Sequence, residues 1–514
     1  MALTTDDPAG PPGVVVGLPE PDLPFHVEQH GIDFIPESER WASPKDLFGM
    51  WAGASIQIEY FIYGAILMTF GFTFAQALSL IVIGNLSFLL LGLCSLQGPN
   101  AGTTAFGTNR AAYGPNGSRV IAFFNWITQI GFEVEGLILI VFAGLALSVK
   151  AGLDPGNPAK VALVIGAVGI QFVLPFLGHA TMVKVLRWLI IPFLILFAVT
   201  AVFSGQHAQL DAVPHGATWQ VYMAGLAFTI ALSGLGWTEC GNDYSRYLPR
   251  NSSKKAIVGW VFLGTAIPQI LIMTLGAAVA TFLGNVGVNA SGVKNPFEPF
   301  LHQSFIPAWF VVVFLTFGIL QLFAINSLDQ YSSGVTLQAV GIRVKRYQAV
   351  GIDSVVCLVV TLYAILHSGF STYLKDFVAV VIVWIAPWVA IYLVDWVLRR
   401  YRYVPGELQK TGPDSLHYGH HGVSWSAMIA QLLGMIAAMA GLNPTFNVPG
   451  WMNPVAAATG TDSFTRADVS IFMGMAVAAV VYWFLARRSV ARQADRQDDL
   501  LAAQGLLETT PANS

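Results

Sequence analysis

Gly234-Leu235-Gly236-Trp237-Thr238-Glu239-Cys240-Gly241-Asn242-Asp243-Tyr244-Ser245-Arg246-Tyr247-Leu248-Pro249 interrupts an apolar run that extends from Val221 to Leu235. Where a membrane helix should continue, the chain presents glycines, an indole and two carboxylates. A bilayer admits irregular backbone only where protein buries it or water reaches it. A broken helix with an aromatic platform at the break is how secondary transporters hold a substrate near the midplane.

The rest of the chain fits that setting. Of its 514 residues, 55% are hydrophobic and 11% charged, against roughly 25% charged in soluble domains. Twelve apolar runs are long enough to cross a bilayer as helices. They lie at about residues 47–70, 74–96, 119–149, 160–178, 183–204, 219–237, 255–284, 306–326, 350–367, 376–398, 422–441 and 468–486. The fold class is therefore an all-α integral membrane protein with about 12 transmembrane helices. The third run is too long for a straight span and is expected to tilt or to extend past the membrane.

Basic residues set the orientation. With the N-terminus inside, 21 of the 26 Lys and Arg fall in cytoplasmic segments, and only Lys150, Lys160, Lys294, Lys375 and Arg466 remain outside. One missed span would invert every later loop, so the asymmetry supports the helix count. It predicts a multi-pass protein of the cell membrane with both termini cytoplasmic. The first 40 residues are polar and rich in Pro and Gly, without the apolar core of a cleavable signal. The expected organisation is a disordered cytoplasmic tail (1–40), a transport core (41–400), a cytoplasmic loop (401–421), two further helices (422–487) and a disordered cytoplasmic tail (488–514). Cys94, Cys240 and Cys357 read as buried free thiols. No metal-ligand spacing, cofactor motif or nucleic-acid-binding patch is present.

Polar side chains inside the runs are candidate site residues, because a charge at the centre of a membrane helix costs about 2.5–3.5 kcal/mol on insertion scales. The first run holds Gly53-Ala54-Ser55-Ile56-Gln57-Ile58-Glu59-Tyr60, small residues followed by polar ones, which suits a second unwound segment. The third holds Gln129, Phe132, Glu133, Glu135 and Gly136. Gln129, Glu133 and Gly136 share one helical stripe, with Phe132 and Glu135 on a neighbouring one. Glu133 and Glu135 cannot both face one small cavity, and the sequence does not choose between them. Desolvation disfavours the charged form of a carboxyl group, which suits a proton carrier. Near the end of the eighth run, Asn326 offers donors and an acceptor for the edge of a heterocycle, and Asp329 is one turn on.

Trp237 followed by Asp243-Tyr244-Ser245-Arg246-Tyr247-Leu248-Pro249 resembles the signature of the nucleobase–cation symporter-1 family, on its purine–cytosine permease side. Gly98-Pro99-Asn100-Ala101-Gly102 with Arg110-Ala111-Ala112-Tyr113-Gly114 resembles that family's loop between helices 2 and 3, and Asn326 to Gly334 the end of its helix 8. The resemblance implies a five-plus-five inverted-repeat (LeuT-like) core with two extra C-terminal helices. It implies a substrate ring stacked between Phe132 and Trp237, with Asn326 as the helix 8 amide and Ser55 or Gln57 from helix 1. Two positions depart from the pattern: the usual helix 3 tryptophan is Phe132, and its amide one turn on is Gly136, so Glu135 is a candidate for that role. The hydroxyls that sodium-using members carry on helix 8 correspond to Ile319, Leu320 and Gln321, which leaves a sodium site short of oxygen ligands.

The function expected is import of a nucleobase, cytosine or purines, by cation symport with protons as the coupling ion. Glu133, Glu135, Glu239 and Asp329 are the candidate coupling residues. A related ring (allantoin, a hydantoin, thiamine or pyridoxine) and sodium coupling are the alternatives. The resemblance also implies alternating access in which spans 1, 2, 6 and 7 rock against spans 3, 4, 8 and 9. An intramembrane enzyme is disfavoured: the ten histidines lie in loops or near helix ends, and no HExxH or GxSxG arrangement occurs. Nothing resembles a channel's selectivity ring.

Overall fold

The structure, a computed structural model, describes residues 34–506 except 154, 174–178, 212–214, 284–294, 298–300, 302, 304, 305, 343–345, 369 and 443–466. Most of the expected N-terminal tail, and residues 507–514, lie outside the described residues. In hydrocarbon every backbone N–H and C=O needs an internal partner, and a helix supplies them all within one segment. The apolar runs accordingly form helices, and among the described residues only an isolated bridge between His420 and Val423 departs from an all-helical fold.

Helix α1 is split into α1a (Pro44–Ser55) and α1b (Ile58–Met68). Helix α2 runs over Phe74–Asn85 and, after a tight turn, Phe88–Cys94. Then follow α3 (Ala105–Lys150), α4 (Asn157–Val173) and α5 (His179–Gly205). Helix α6 is split into α6a (Trp219–Ile230) and α6b (Gly241–Ser245), and α7 covers Lys254–Ala280. The remaining spans are α8 (Ala308–Ala339), α9 (Arg346–Tyr363), α10 (Phe370–Leu398), α11 (Trp425–Gly441) and α12 (Ser470–Ala503). Among the described residues nine helical segments are long and apolar enough to cross a membrane, and the shorter apolar α1b, α4 and α11 supply the other three runs.

Three elements differ from the sequence reading. Helix α3 starts upstream of residue 119 and kinks at Gly114 (φ 76°, ψ 163°) ahead of Pro115. Residues 115–150 then span about 54 Å at 1.5 Å per residue, well beyond a hydrocarbon core of about 30 Å. Helix α8 does not stop near residue 326 but runs to Ala339, so Asn326 and Asp329 lie inside it rather than at its end. Its polar continuation is paid for by α3 and α9: Asn125 donates to Thr336 Oγ1 at 3.2 Å, and Gln330 to Ser354 Oγ at 2.9 Å.

The third correction concerns the C-terminal tail. Residues 488–503 continue α12 as a helix, with Val490, Ala494, Gln497 and Leu501 buried along one stripe. Arg400 pairs with Asp495 and Asp498, each at 2.7 Å, and Arg402 with Asp498 at 3.2 Å. Deeper in, the buried Arg399–Asp395 pair (2.7 Å) receives the Tyr482 hydroxyl on Asp395 at 2.7 Å. Arg399 also donates to the Ala111 carbonyl and to Gln493, so α10, α3 and α12 are tied at one end.

Two packed pairs frame the interior: α3 lies along α8, and α1 along α7. The second contact is close enough to exclude side chains. A Cβ at Gly64 would stand 1.9 Å from the Met273 carbonyl oxygen, and one at Gly276 would stand 1.9 Å from that of Phe61. Small residues of this kind let membrane helices approach where the hydrophobic effect cannot drive them together. Gly64→Ala or Gly276→Ala should therefore destabilise the protein by about 1–3 kcal/mol and lower its melting temperature in detergent. Gly259→Ala, where nothing lies within 4 Å of the new atom, should leave melting unchanged; equal effects at all three positions would contradict this packing.

Candidate functional site

Both breaks are local in origin, and both are held from neighbouring helices. In α1, Ile56 (φ −89°, ψ 80°) and Gln57 (φ −143°, ψ 158°) leave the helical region between α1a and α1b. Gln321 of α8 meets the freed backbone. Its amide donates to the Ile56 carbonyl, and its side-chain oxygen accepts the Ile58 N–H at 3.0 Å. In α6 the interruption is a change of pitch: a π turn over Ala231–Leu235 passes into a 3-10 turn over Thr238–Cys240.

Ser233 (φ −109°, ψ −125°) is the non-helical residue of that turn. Gln269 of α7 donates to its hydroxyl at 2.6 Å. The Gly234 N–H reaches Ser87 Oγ of α2 at 2.9 Å. A Cβ at Gly234 would lie 2.1 Å from the Ser87 carbonyl carbon, so glycine is what permits α2 to press against the break.

The breaks open on one shared cavity. Helix α1 contributes Gln57, Glu59, Tyr60 and Tyr63, and α3 contributes Gln129 and Phe132. Leu232, Gly236, Trp237, Glu239 and Cys240 come from α6, with Ile325 and Asp329 from α8. Two aromatic faces are fixed in place. The Trp237 indole N–H donates to the Tyr60 hydroxyl at 2.9 Å, and its ring meets Trp51 edge-on at 5.8 Å. Phe132 packs edge-on against Phe377 at 4.8 Å.

Hydrogen bonding leaves specific atoms over. Gln129 donates to Glu239 Oε1 at 3.0 Å, while Glu239 Oε2 has no partner. Gln57 Oε1 is likewise buried without a donor. The lining residues include three carboxyl groups, Glu59, Glu239 and Asp329, and no Lys, Arg or His. A buried acceptor without a donor is costly, so this cavity suits a flat ring that brings N–H groups to its edge. Among the described residues no group of three metal-ligating side chains could hold a metal ion.

Of the residues singled out in the sequence, Gln57, Phe132, Trp237, Glu239 and Asp329 line this cavity, whereas Ser55, Glu133, Glu135, Gly136 and Asn326 do not. Asn326 instead turns toward α3 and α4. It donates to the Glu133 carbonyl and to Gln171 Oε1, each at 2.9 Å. Glu133 faces the same way and accepts from Gln171 at 3.3 Å and from the Cys357 thiol at 3.4 Å. Gly136 is the floor under Asn326: a Cβ there would lie 2.1 Å from Asn326 Oδ1. Ser55 is buried at the end of α1a, and Glu135 is buried behind Glu59 and Tyr63.

Tyr60, Tyr63 and Gln321 are site residues that the sequence reading misses, although Tyr60 and Tyr63 follow Gln57 at helical spacing, which is the available signal. The signature segment 243–249 does not line the cavity either. It packs at the end of α6: the adjoining Asn242 donates to the Tyr392 hydroxyl at 2.7 Å and to Thr108 Oγ1 at 3.2 Å. Arg40 donates to the Pro99 carbonyl at 2.6 Å and to that of Leu248 at 3.4 Å, joining this segment to the loop between α2 and α3.

A family profile described as "Permease for cytosine/purines, uracil, thiamine, allantoin" matches residues 34–463. YxlA of Bacillus subtilis, named for the purine-cytosine permeases, is 26% identical over 92% of this chain and 99% of its own. The purine-cytosine permease fcyB of Emericella nidulans is 25% identical over 89% of this chain and 88% of its own. Among solved structures, Mhp1, a nucleobase-cation-symport-1 family transporter, is similar in fold. Its inward-facing form gives a TM-score of 0.66 at 16% identity, covering 92% of this chain and 97% of that one. Its closed form with bromovinylhydantoin bound gives 0.61 at 17% identity, covering 91% of this chain and 99% of that one.

The placement of Asn326 predicts a structural coupling with Gly136. Asn326→Ala should cost about 1–3 kcal/mol, by leaving the buried Gln171 Oε1 without its Asn326 donor. Gly136→Ala should destabilise the native chain yet be nearly neutral in the Asn326→Ala background. Thermal unfolding of both single variants and the double variant measures the coupling; strictly additive shifts would contradict the contact.

Proposed function

The chain belongs to the family of permeases for cytosine/purines, uracil, thiamine and allantoin, and from that premise we propose that it imports a nucleobase, cytosine or a purine, by proton symport. It is a multi-pass membrane transporter, not an enzyme. The observation that carries the substrate reading is the pair of unsatisfied acceptors, Gln57 Oε1 and Glu239 Oε2, in a cavity walled by Trp237 and Phe132. Aromatic faces take the ring, and the orphaned acceptors take N–H donors from its edge. Cytosine and adenine carry such donors on an exocyclic amine.

The carboxyl groups of Glu59, Glu239 and Asp329 support coupling to protons. Three acids in one membrane cavity with no basic residue in its lining are costly when charged, and a proton entering with the substrate removes part of that cost. The position of the cavity supports alternating access. One side is built by α1 and α6, the other by α3 and α8, and the Gln129–Glu239 hydrogen bond crosses between them. The split of basic residues supports placement in the cell membrane with cytoplasmic termini.

Binding of radiolabelled cytosine to the purified protein tests the site. Trp237→Ala should weaken it by about 1–3 kcal/mol, roughly five- to 150-fold, the range of a base–aromatic stack, with melting close to native. Native affinity in a folded Trp237→Ala variant would refute the stacking site. Glu239→Gln turns an orphaned acceptor into a donor, so cytosine should lose affinity relative to uracil, which offers a carbonyl at the corresponding position. An unchanged cytosine-to-uracil ratio would remove Glu239 from the reading edge.

A further inference from the structure

The carbonyl group freed at a helix break in a transporter is a natural ligand for a cation, because unwound backbone oxygens are among the few hard donors at membrane depth. At the break in α1 that oxygen belongs to Ile56, and it is already taken. Gln321, only 2% exposed, sets its planar amide across the break, giving N–H to the Ile56 carbonyl and taking N–H from Ile58. The two bonds span Gln57, the residue whose side chain enters the cavity. One side chain thus stands in for the piece of helical ladder that the break removes.

The surroundings match. On α8 the residues one turn from Gln321 are Phe317, Gly318, Ala324 and Ile325, none of which has a side-chain oxygen. Gly318 lies against α1b, where a Cβ would stand 2.7 Å from Ile58 Cδ1. An N–H donor pointed at the Ile56 oxygen also sets partial positive charge beside it, which disfavours a cation there.

We propose that Gln321 is a positioning residue that permanently fills the cation's place at the α1 break, so that the break keeps its shape, and Gln57 its direction, without sodium. The proposal rests on the reading of this cavity as the transport site, but it concerns the break and not the ring. It identifies α8 as the element that sets the geometry of α1, through an uncharged group that titration does not switch.

Hydrogen–deuterium exchange of the full-length protein in detergent, read on peptides covering 52–62, tests it without any substrate. The native chain should show the same protection of this segment in sodium chloride and in choline chloride. Gln321→Ala should raise exchange at Ile58 by about tenfold or more in both salts, since its one partner is gone. Gln321→Met, close in size and without hydrogen-bonding groups of comparable strength, fills the same space, loses both bonds and should also exchange faster than native. Protection that increases with sodium in the native chain would overturn the proposal, as would native exchange in folded Gln321→Met or Gln321→Ala. Failure of cytosine binding alongside the expected exchange pattern would overturn the substrate reading and leave the role of Gln321 standing.

Discussion

Backbone polar groups at membrane depth must be satisfied inside the protein, and the two broken helices are where this constraint bites. Neither break is left to solvent. Ile56 and Ile58 are met by Gln321, the Gly234 N–H by Ser87, the Ser233 hydroxyl by Gln269 and the Leu235 carbonyl by Thr238. These partners come largely from α2, α7 and α8, so the breaks hold their shape only while those helices stay packed against them. The close crossing of α1 and α7 at Gly64 and Gly276 belongs to the same scheme.

With the backbone satisfied, the buried polar side chains fall into three sets. Gln57, Glu59, Gln129, Glu239 and Asp329 face the cavity, where some acceptors stay unfilled. Glu133, Gln171, Asn326 and Cys357 bond to one another on the far side of α3, away from Trp237. A third set ties α9 to α3, with the Trp126 indole donating to Asp353 at 2.7 Å. The second set also leaves Glu133 Oε1 and Asn326 Oδ1 without donors, so what sets the cavity apart is the pair of aromatic faces beside its acceptors. Unfilled acceptors beside aromatic faces specify a ligand.

Much of this was legible in the sequence. The Gly234-Leu235-Gly236-Trp237 step marks the α6 break because glycine allows α2 to approach and the indole needs space beside it. Small residues before Gln57 mark the α1 break. Asn326 falls outside the cavity lining while Asp329 lies in it: the two are about 60° apart around the helix axis, near enough to be read as one face, yet the cavity edge falls between them. Gln321 was read for the hydroxyl it lacks, and a side chain that pairs with a distant backbone leaves no local pattern. The end of α12 had a readable stripe, Val490, Ala494, Gln497 and Leu501, that its many charges obscured.

The central claim is that a cavity of unfilled acceptors between the two breaks moves a donor-rich ring together with a proton. The most direct measurement is uptake of radiolabelled cytosine into proteoliposomes under an inward proton gradient, with sodium absent on both sides. The account predicts accumulation above equilibrium that a protonophore abolishes and that added sodium leaves unchanged. Accumulation that needs a sodium gradient and ignores the proton gradient would contradict it.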